Sequence, residues 1–150
     1  MNYQINLEDF KFSMPIAMRW NDMDALGHVN NIYYFEYFQI ARSEYMIQAS
    51  PTWDWTKNMF VIGHIECDYY KELSLKHQNP IIRTRTTSLS TKSFELEYII
   101  SSTDAQGNEI IHAKGKSINV MIDMAARKST TLPTWLKEEL MAYEPALKTI

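Results

Sequence analysis

The chain of 150 residues has one cysteine, Cys67, with only four glycines and five prolines. A single thiol closes no internal disulfide, so the fold must rest on its core, and a reducing compartment is expected. There is no glycine-rich phosphate loop and no Gly-x-Ser-x-Gly elbow, which sets aside nucleotide hydrolysis and the α/β-hydrolase route. No run approaches the roughly 18 apolar residues that span a membrane. The first twenty residues lack the basic stretch and apolar core of a secretory signal. A basic excess is also missing: 15 Lys and Arg against 18 Asp and Glu give a net charge of −3. That argues against a nucleic-acid or anionic-membrane binder. His64, His77 and His112 have no metal-like spacing to one another or to Cys67, so no metal site is expected. The expectation is a soluble, cytoplasmic protein.

What is present is a 45% hydrophobic and 13% aromatic composition, enough for one domain with a sizeable core. Residues 11–20 read as a first strand with Met14, Ile16 and Met18 on one face. From residue 31 to about 49 no breaker occurs until Ser50-Pro51, and Asn30 is a good N-cap, which predicts a long helix. Ile32, Phe35, Phe38, Ala41, Tyr45 and Met46 recur at helical spacing, and Tyr34, Tyr37 and Ile40 widen the stripe. A helix this apolar is expected to be wrapped by other elements. Strands follow over 59–69, 81–89, 93–102 and 109–122, the last two joined by a turn at 104–108. Pro133 opens a short helix with Trp135, Leu136 and Leu140 as its apolar face. One long helix followed by four closely connected strands predicts an α+β fold, an antiparallel sheet curled around the helix. Its open edges and open face are of the kind that dimerisation covers.

The most informative stretch is RWNDMDALGHVNNIYY, residues 19–34. Asp22 and Asp24 lead into a turn at Gly27, then His28, Asn30, Asn31 and the aromatic helix. The free N–H groups of a helix start suit a developing negative charge. A carboxylate beside them is what hydrolysis of an activated acyl group requires. Asp and Asn in such a loop also serve as caps and turn formers. Asp22 is read as structural, capping the loop or holding Arg19.

With its Arg-Trp, Asp-x-Asp and His-Val-Asn-Asn, this segment resembles the hotdog-fold thioesterases, in particular the 4-hydroxybenzoyl-CoA thioesterase-like acyl-CoA thioesterases. It is also similar to the plant and bacterial acyl-ACP thioesterases. The resemblance extends to the order of elements across nearly the whole chain. It implies a hotdog fold and hydrolysis of an acyl-CoA thioester to free acid and CoA. Asp24 would be nucleophile or general base, and the Asn31 N–H would polarise the thioester oxygen. His28 matches a histidine that takes part in the acyl-ACP branch, but Leu26 stands where that branch has asparagine. The departure favours acyl-CoA over an acyl carrier protein as substrate; a non-catalytic acyl-CoA-binding module is the third reading. The resemblance implies no metal or redox cofactor, and a homodimer or homotetramer.

For the phosphates of CoA the candidates are Lys92 and Ser93, then Arg127 with Lys128, then Lys71; Tyr33 and Tyr34 are candidates for acyl contacts. Arg83 and Arg85 are expected on the solvent face of their strand, and Cys67 as a small buried hydrophobe. Gly115 reads as a bend or a close approach of backbone.

Overall fold

Alternating apolar residues between residues 59 and 123 build four long strands, and the uninterrupted aromatic run after Asn30 builds the helix they enclose. In the computed structural model, which describes residues 5–149, the elements are β1 (Phe12–Pro15), α1 (Asn31–Ala49), β2 (Met59–Tyr69), β3 (Gln78–Leu89) and β4 (Ser93–Thr103). They continue with β5 (Glu109–Asp123), β6 (Lys128–Ser129), α2 (Thr134–Tyr143) and β7 (Lys148–Thr149). The main sheet runs β1-β3-β4-β5-β2 with every neighbour antiparallel, β6 extends beside β5, and β7 lies parallel to β3. This α+β layout is the one the hotdog resemblance implies.

The Asn30 side chain caps α1 by accepting the Ile32 N–H at 3.3 Å, and the helix ends at Ser50, before Pro51. α1 buries Tyr34, Tyr37, Phe38, Ala41, Tyr45 and Met46 against the sheet. The inner face of the sheet is Ile82, Thr84, Phe94, Leu96, Tyr98, Ala113 and Met121, all buried. Phe38 stacks on Tyr98 with centroids 4.5 Å apart and lies directly over Gly115, where any added Cβ would collide with its ring. The close approach expected at Gly115 is therefore that of the central helix.

Two expectations are corrected. The first strand spans four residues and not ten: Pro15 has no N–H to continue the ladder, and after Ile16 N–H donates to Pro80 O the chain leaves the sheet. α1 is not wrapped on all sides. Ile32, Ile40 and Ile47 are 59%, 48% and 52% exposed, because the sheet curls around one flank of the helix only. Arg83 and Arg85 lie on the outer face of the sheet, as expected, half-buried by their pairing: Arg83 with Glu109 at 2.9 Å and Arg85 with Glu97 at 3.4 Å.

β2 is an edge strand. It pairs with β5, and its other edge has no strand beside it among the described residues. Val61, Ile62 and Tyr69 along it are exposed. Among the described residues no helix is long and apolar enough to cross a membrane.

Candidate active site

The loop between β1 and α1 is fastened at its base by Asp22. This carboxylate is fully buried and accepts from the Arg19 N–H at 3.1 Å, Arg19 Nε at 2.9 Å and the Tyr37 hydroxyl at 2.6 Å. Burial alone would push the Asp22 carboxyl up; the hydrogen bonds from Tyr37 and Arg19 outweigh it and hold it below the usual carboxylate range. Arg19 in turn pairs with Glu36 of α1 at 2.7 Å. Asp22 thus holds Arg19 and ties the loop to the helix.

Beyond Asp22 the chain closes a turn around Asp24. Asp24 N–H donates to His28 O at 2.8 Å, and Gly27 N–H donates to Asp24 O at 3.0 Å. Gly27 takes the left-handed φ of 77°, a conformation that suits glycine. Asp24 Oδ1 accepts the Leu26 N–H at 2.9 Å and the His28 N–H at 3.2 Å. One carboxylate oxygen therefore fixes the turn, while Oδ2 has no hydrogen-bond partner among the described residues. Two further bonds set the helix start behind it: Val29 N–H to Leu73 O at 2.7 Å and Asn30 N–H to Asp22 O at 2.8 Å. The Asn31 N–H, first in α1, has no acceptor among the described residues.

Asp24, His28, Asn31 and Tyr34 line one open cleft of about 440 Å³, together with Tyr69, Lys71 and Glu72 at the end of β2. Tyr69 stands edge-on to Tyr34 at 4.9 Å and donates to Asn31 O at 3.4 Å. On the other side of the loop a second, more apolar cleft of about 490 Å³ runs between Asp24, Met23, Trp20 and Leu75. Asp24 forms part of both walls.

The remaining candidates lie elsewhere. Tyr33 lines a separate cleft with Trp20, Asp22 and Glu36, with the Arg19 guanidinium 5.6 Å from its ring centroid. One step along a helix turns a side chain by about 100° away from its neighbour. Lys92, Ser93 and Arg127 gather at the far end of the sheet: Ser93 is opposite Val120 on β5, Lys92 O accepts the Met121 N–H, and Arg127 sits in the turn between β5 and β6. Tyr69, at the cleft, is opposite Ala113. Seven residues of strand separate the two places, roughly 23 Å at the usual rise. Within one chain, Lys71 is the basic candidate that reaches the Asp24 cleft.

The titratable neighbours narrow the chemistry. Burial pushes the Cys67 thiol up to about 12, so at neutral pH it is no thiolate nucleophile. Burial likewise pushes the Tyr34 phenol up to about 12 and raises that of Tyr69, which leaves both as hydrogen-bond donors. The parts missed by the sequence reading are Tyr69, Tyr70 and Glu72, which lie close together where the alternation of β2 runs out.

The model of the thioesterase-like superfamily matches residues 18–140 of this chain. A thioesterase from Thermus thermophilus, solved in complex with coenzyme A and Zn, is 28% identical, with 93% of this chain and 98% of that chain covered and a TM-score of 0.78. The 4-hydroxybenzoyl-CoA thioesterase of Pseudomonas sp. strain CBS-3 has the same fold at 18% identity, covering 85% of this chain and 97% of that one with a TM-score of 0.76. A Bacillus subtilis (strain 168) protein, the uncharacterized YsmA, is 25% identical over 99 residues, 66% of this chain and 67% of its own. Matched over most of its length and built as a hotdog fold, the chain belongs to the thioesterase-like superfamily.

Proposed function

We propose that this protein hydrolyses acyl-CoA thioesters, with the Asp24 carboxylate as nucleophile or general base and the Asn31 N–H as the oxyanion donor. The observation that carries this reading is that Asp24, with Oδ2 unengaged, lines the same cleft as the unpaired N–H at the start of α1. Acting as base, Oδ2 takes a proton from water, and the oxygen attacks the thioester carbon. Negative charge then gathers on the former carbonyl oxygen, where the Asn31 N–H and the helix dipole lower its energy. Collapse of the tetrahedral species breaks the C–S bond and expels the CoA thiolate. Acting as nucleophile, Oδ2 itself attacks, the thiolate leaves, and water cleaves the resulting mixed anhydride. A thioester is activated enough for either route.

The reading includes a homodimer joined along β2. Among the described residues β2 has an unpaired edge, and α1 exposes Ile32, Ile40 and Ile47, apolar surface of the kind a second copy would cover. A two-fold axis that pairs β2 antiparallel with its copy sets the Met59 end of one strand beside the Tyr69 end of the other. Met59 is opposite Ile122 on β5, close to Lys92, Ser93 and Arg127. Each cleft would then combine Asp24 and Lys71 of one chain with the basic residues of its partner, which supply the charge for CoA phosphates. The CoA bound to the Thermus thermophilus relative supports a CoA-type substrate here. Thiol release from a panel of short, long and aromatic acyl-CoAs tests the proposal. Turnover of at least one is expected; turnover of acyl carrier protein thioesters alone, or of none, overturns it.

A further inference from the structure

His112 lies on β5, fully buried, outside the loop motif and not among the residues that line the Asp24 cleft. Both ring nitrogens are engaged. Nδ1 is 3.1 Å from Lys71 O and 3.0 Å from Glu72 O, and Nε2 is 2.7 Å from Ser102 Oγ on β4. Carbonyl oxygens only accept, so Nδ1 carries the proton, and Nε2 accepts from the Ser102 hydroxyl. Burial favours this neutral ring. The backbone of the same residue is engaged too: the N–H groups of Tyr70 and Lys71 donate to His112 O at 2.8 and 3.3 Å. His77 packs edge-on against the ring at 4.6 Å, and its own Nδ1 accepts the Ser74 N–H at 3.0 Å.

One residue thus grips the segment that walls the cleft at three successive positions. The next carbonyl along, Leu73 O, accepts the Val29 N–H at 2.7 Å. Val29 stands between His28 and Asn30, two residues before the Asn31 N–H. A continuous series of hydrogen bonds therefore runs from Ser102 through His112 and the 71–73 backbone to the loop that carries Asp24 and the start of α1. We propose that His112 is a positioning residue for the Asp24–Asn31 site, holding the 71–73 segment so that Leu73 O fixes the helix start. An apolar residue in its place would leave the Lys71 and Glu72 carbonyls without the donor that the buried His112 ring supplies, and would free the segment to move. The kinetic part of this proposal rests on the thioesterase reading; the structural part does not.

Three variants and two readouts test it. In His112→Leu the donor is lost; in His112→Asn the side-chain amide stands where the imidazole Nδ1–H was; in Ser102→Ala only the hydroxyl at Nε2 is removed. The Leu variant is expected to lose about tenfold or more in kcat with little change in KM. Amide exchange at Val29 is expected to speed up by a similar factor, while Ile99 and Ile100 in the core of β4 stay protected. The Asn variant should recover most of both effects. Should the Leu variant fail to fold, Ser102→Ala carries the same comparison at smaller amplitude. Wild-type exchange at Val29 in a folded Leu or Ala variant overturns the proposal, as does a loss in Leu that Asn leaves unrepaired. Absence of all thioesterase activity in the wild type would refute the proposed function instead, and the exchange comparison would still decide the role of His112.

Discussion

The Tyr37 hydroxyl donates to Asp22 Oδ2 at 2.6 Å, joining the second turn of α1 to the buried carboxylate at the base of the Asp24 loop. Tyr37→Phe leaves that oxygen with the Arg19 N–H alone. A lost hydrogen bond to a buried charged group costs about 1.5–3 kcal/mol, so a lower Tm is expected in thermal unfolding. Asp22→Asn should cost more, because it also removes the charge facing Arg19. In both variants thiol release should slow, since the Asn30 N–H and the loop are set from this point.

Gly115 carries the closest contact between helix and sheet. Gly115→Ala drives a methyl into the Phe38 ring, which is fully buried and stacked on Tyr98. Overpacking of this kind costs typically about 1–3 kcal/mol. Phe38→Leu added to Gly115→Ala should return part of the lost stability in denaturant unfolding, a non-additivity that two independent sites would lack.

Glu144, buried beyond the end of α2, accepts the Thr86 N–H at 2.8 Å and the Tyr45 hydroxyl at 3.2 Å. Burial outweighs both hydrogen bonds and raises its carboxyl above the ordinary glutamate value of 4.5. The folded chain therefore holds a proton that the unfolded chain releases first. This contribution is fully present below pH 4.5 and is lost as pH rises through the folded value. Glu144→Gln, neutral throughout, should gain Tm relative to the wild type as pH rises from 4.5, and the gap should then level off. A gap constant across pH would contradict the assignment.

A cleft shared between the two chains of the proposed dimer predicts complementation between a chain impaired in chemistry and a chain impaired in CoA binding. In that dimer, an Asp24→Asn chain and a Lys92→Ala chain, mixed and re-annealed, would form hybrids in which one cleft has both an intact Asp24 and an intact Lys92. At low acyl-CoA concentration the mixture should exceed the average of the two separate variants. Activity equal to that average would place Lys92 outside the cleft.

Much of this was legible in the sequence because it depends on local pattern. The strict alternation between Phe94 and Tyr98 and the breaker-free run from Asn31 to Ala49 give strands and helix directly. The Asp24 loop is carried by a compact motif. What escaped depends on contacts between distant residues. β1 stops at Pro15, opposite Ile81, and where the chain then leaves its partner strand no local count reveals. Helical periodicity marks Ile32 and Ile40 as apolar without saying whether the chain's own sheet covers them. Lys92 and Arg127 lie at the far end of the sheet because of strand register, and the grip of His112 on Lys71 and Glu72 spans about forty residues of sequence.

The most direct measurement is thiol release by Asp24→Asn against wild type on the best acyl-CoA. An asparagine Oδ1 still accepts the Leu26 and His28 N–H groups, so the turn, the fold and Tm should persist. A fall in kcat of about a hundredfold or more is expected, the scale set by removing a positioned base or nucleophile. A folded Asn variant that turns over at the wild-type rate would contradict it and move the chemistry away from Asp24.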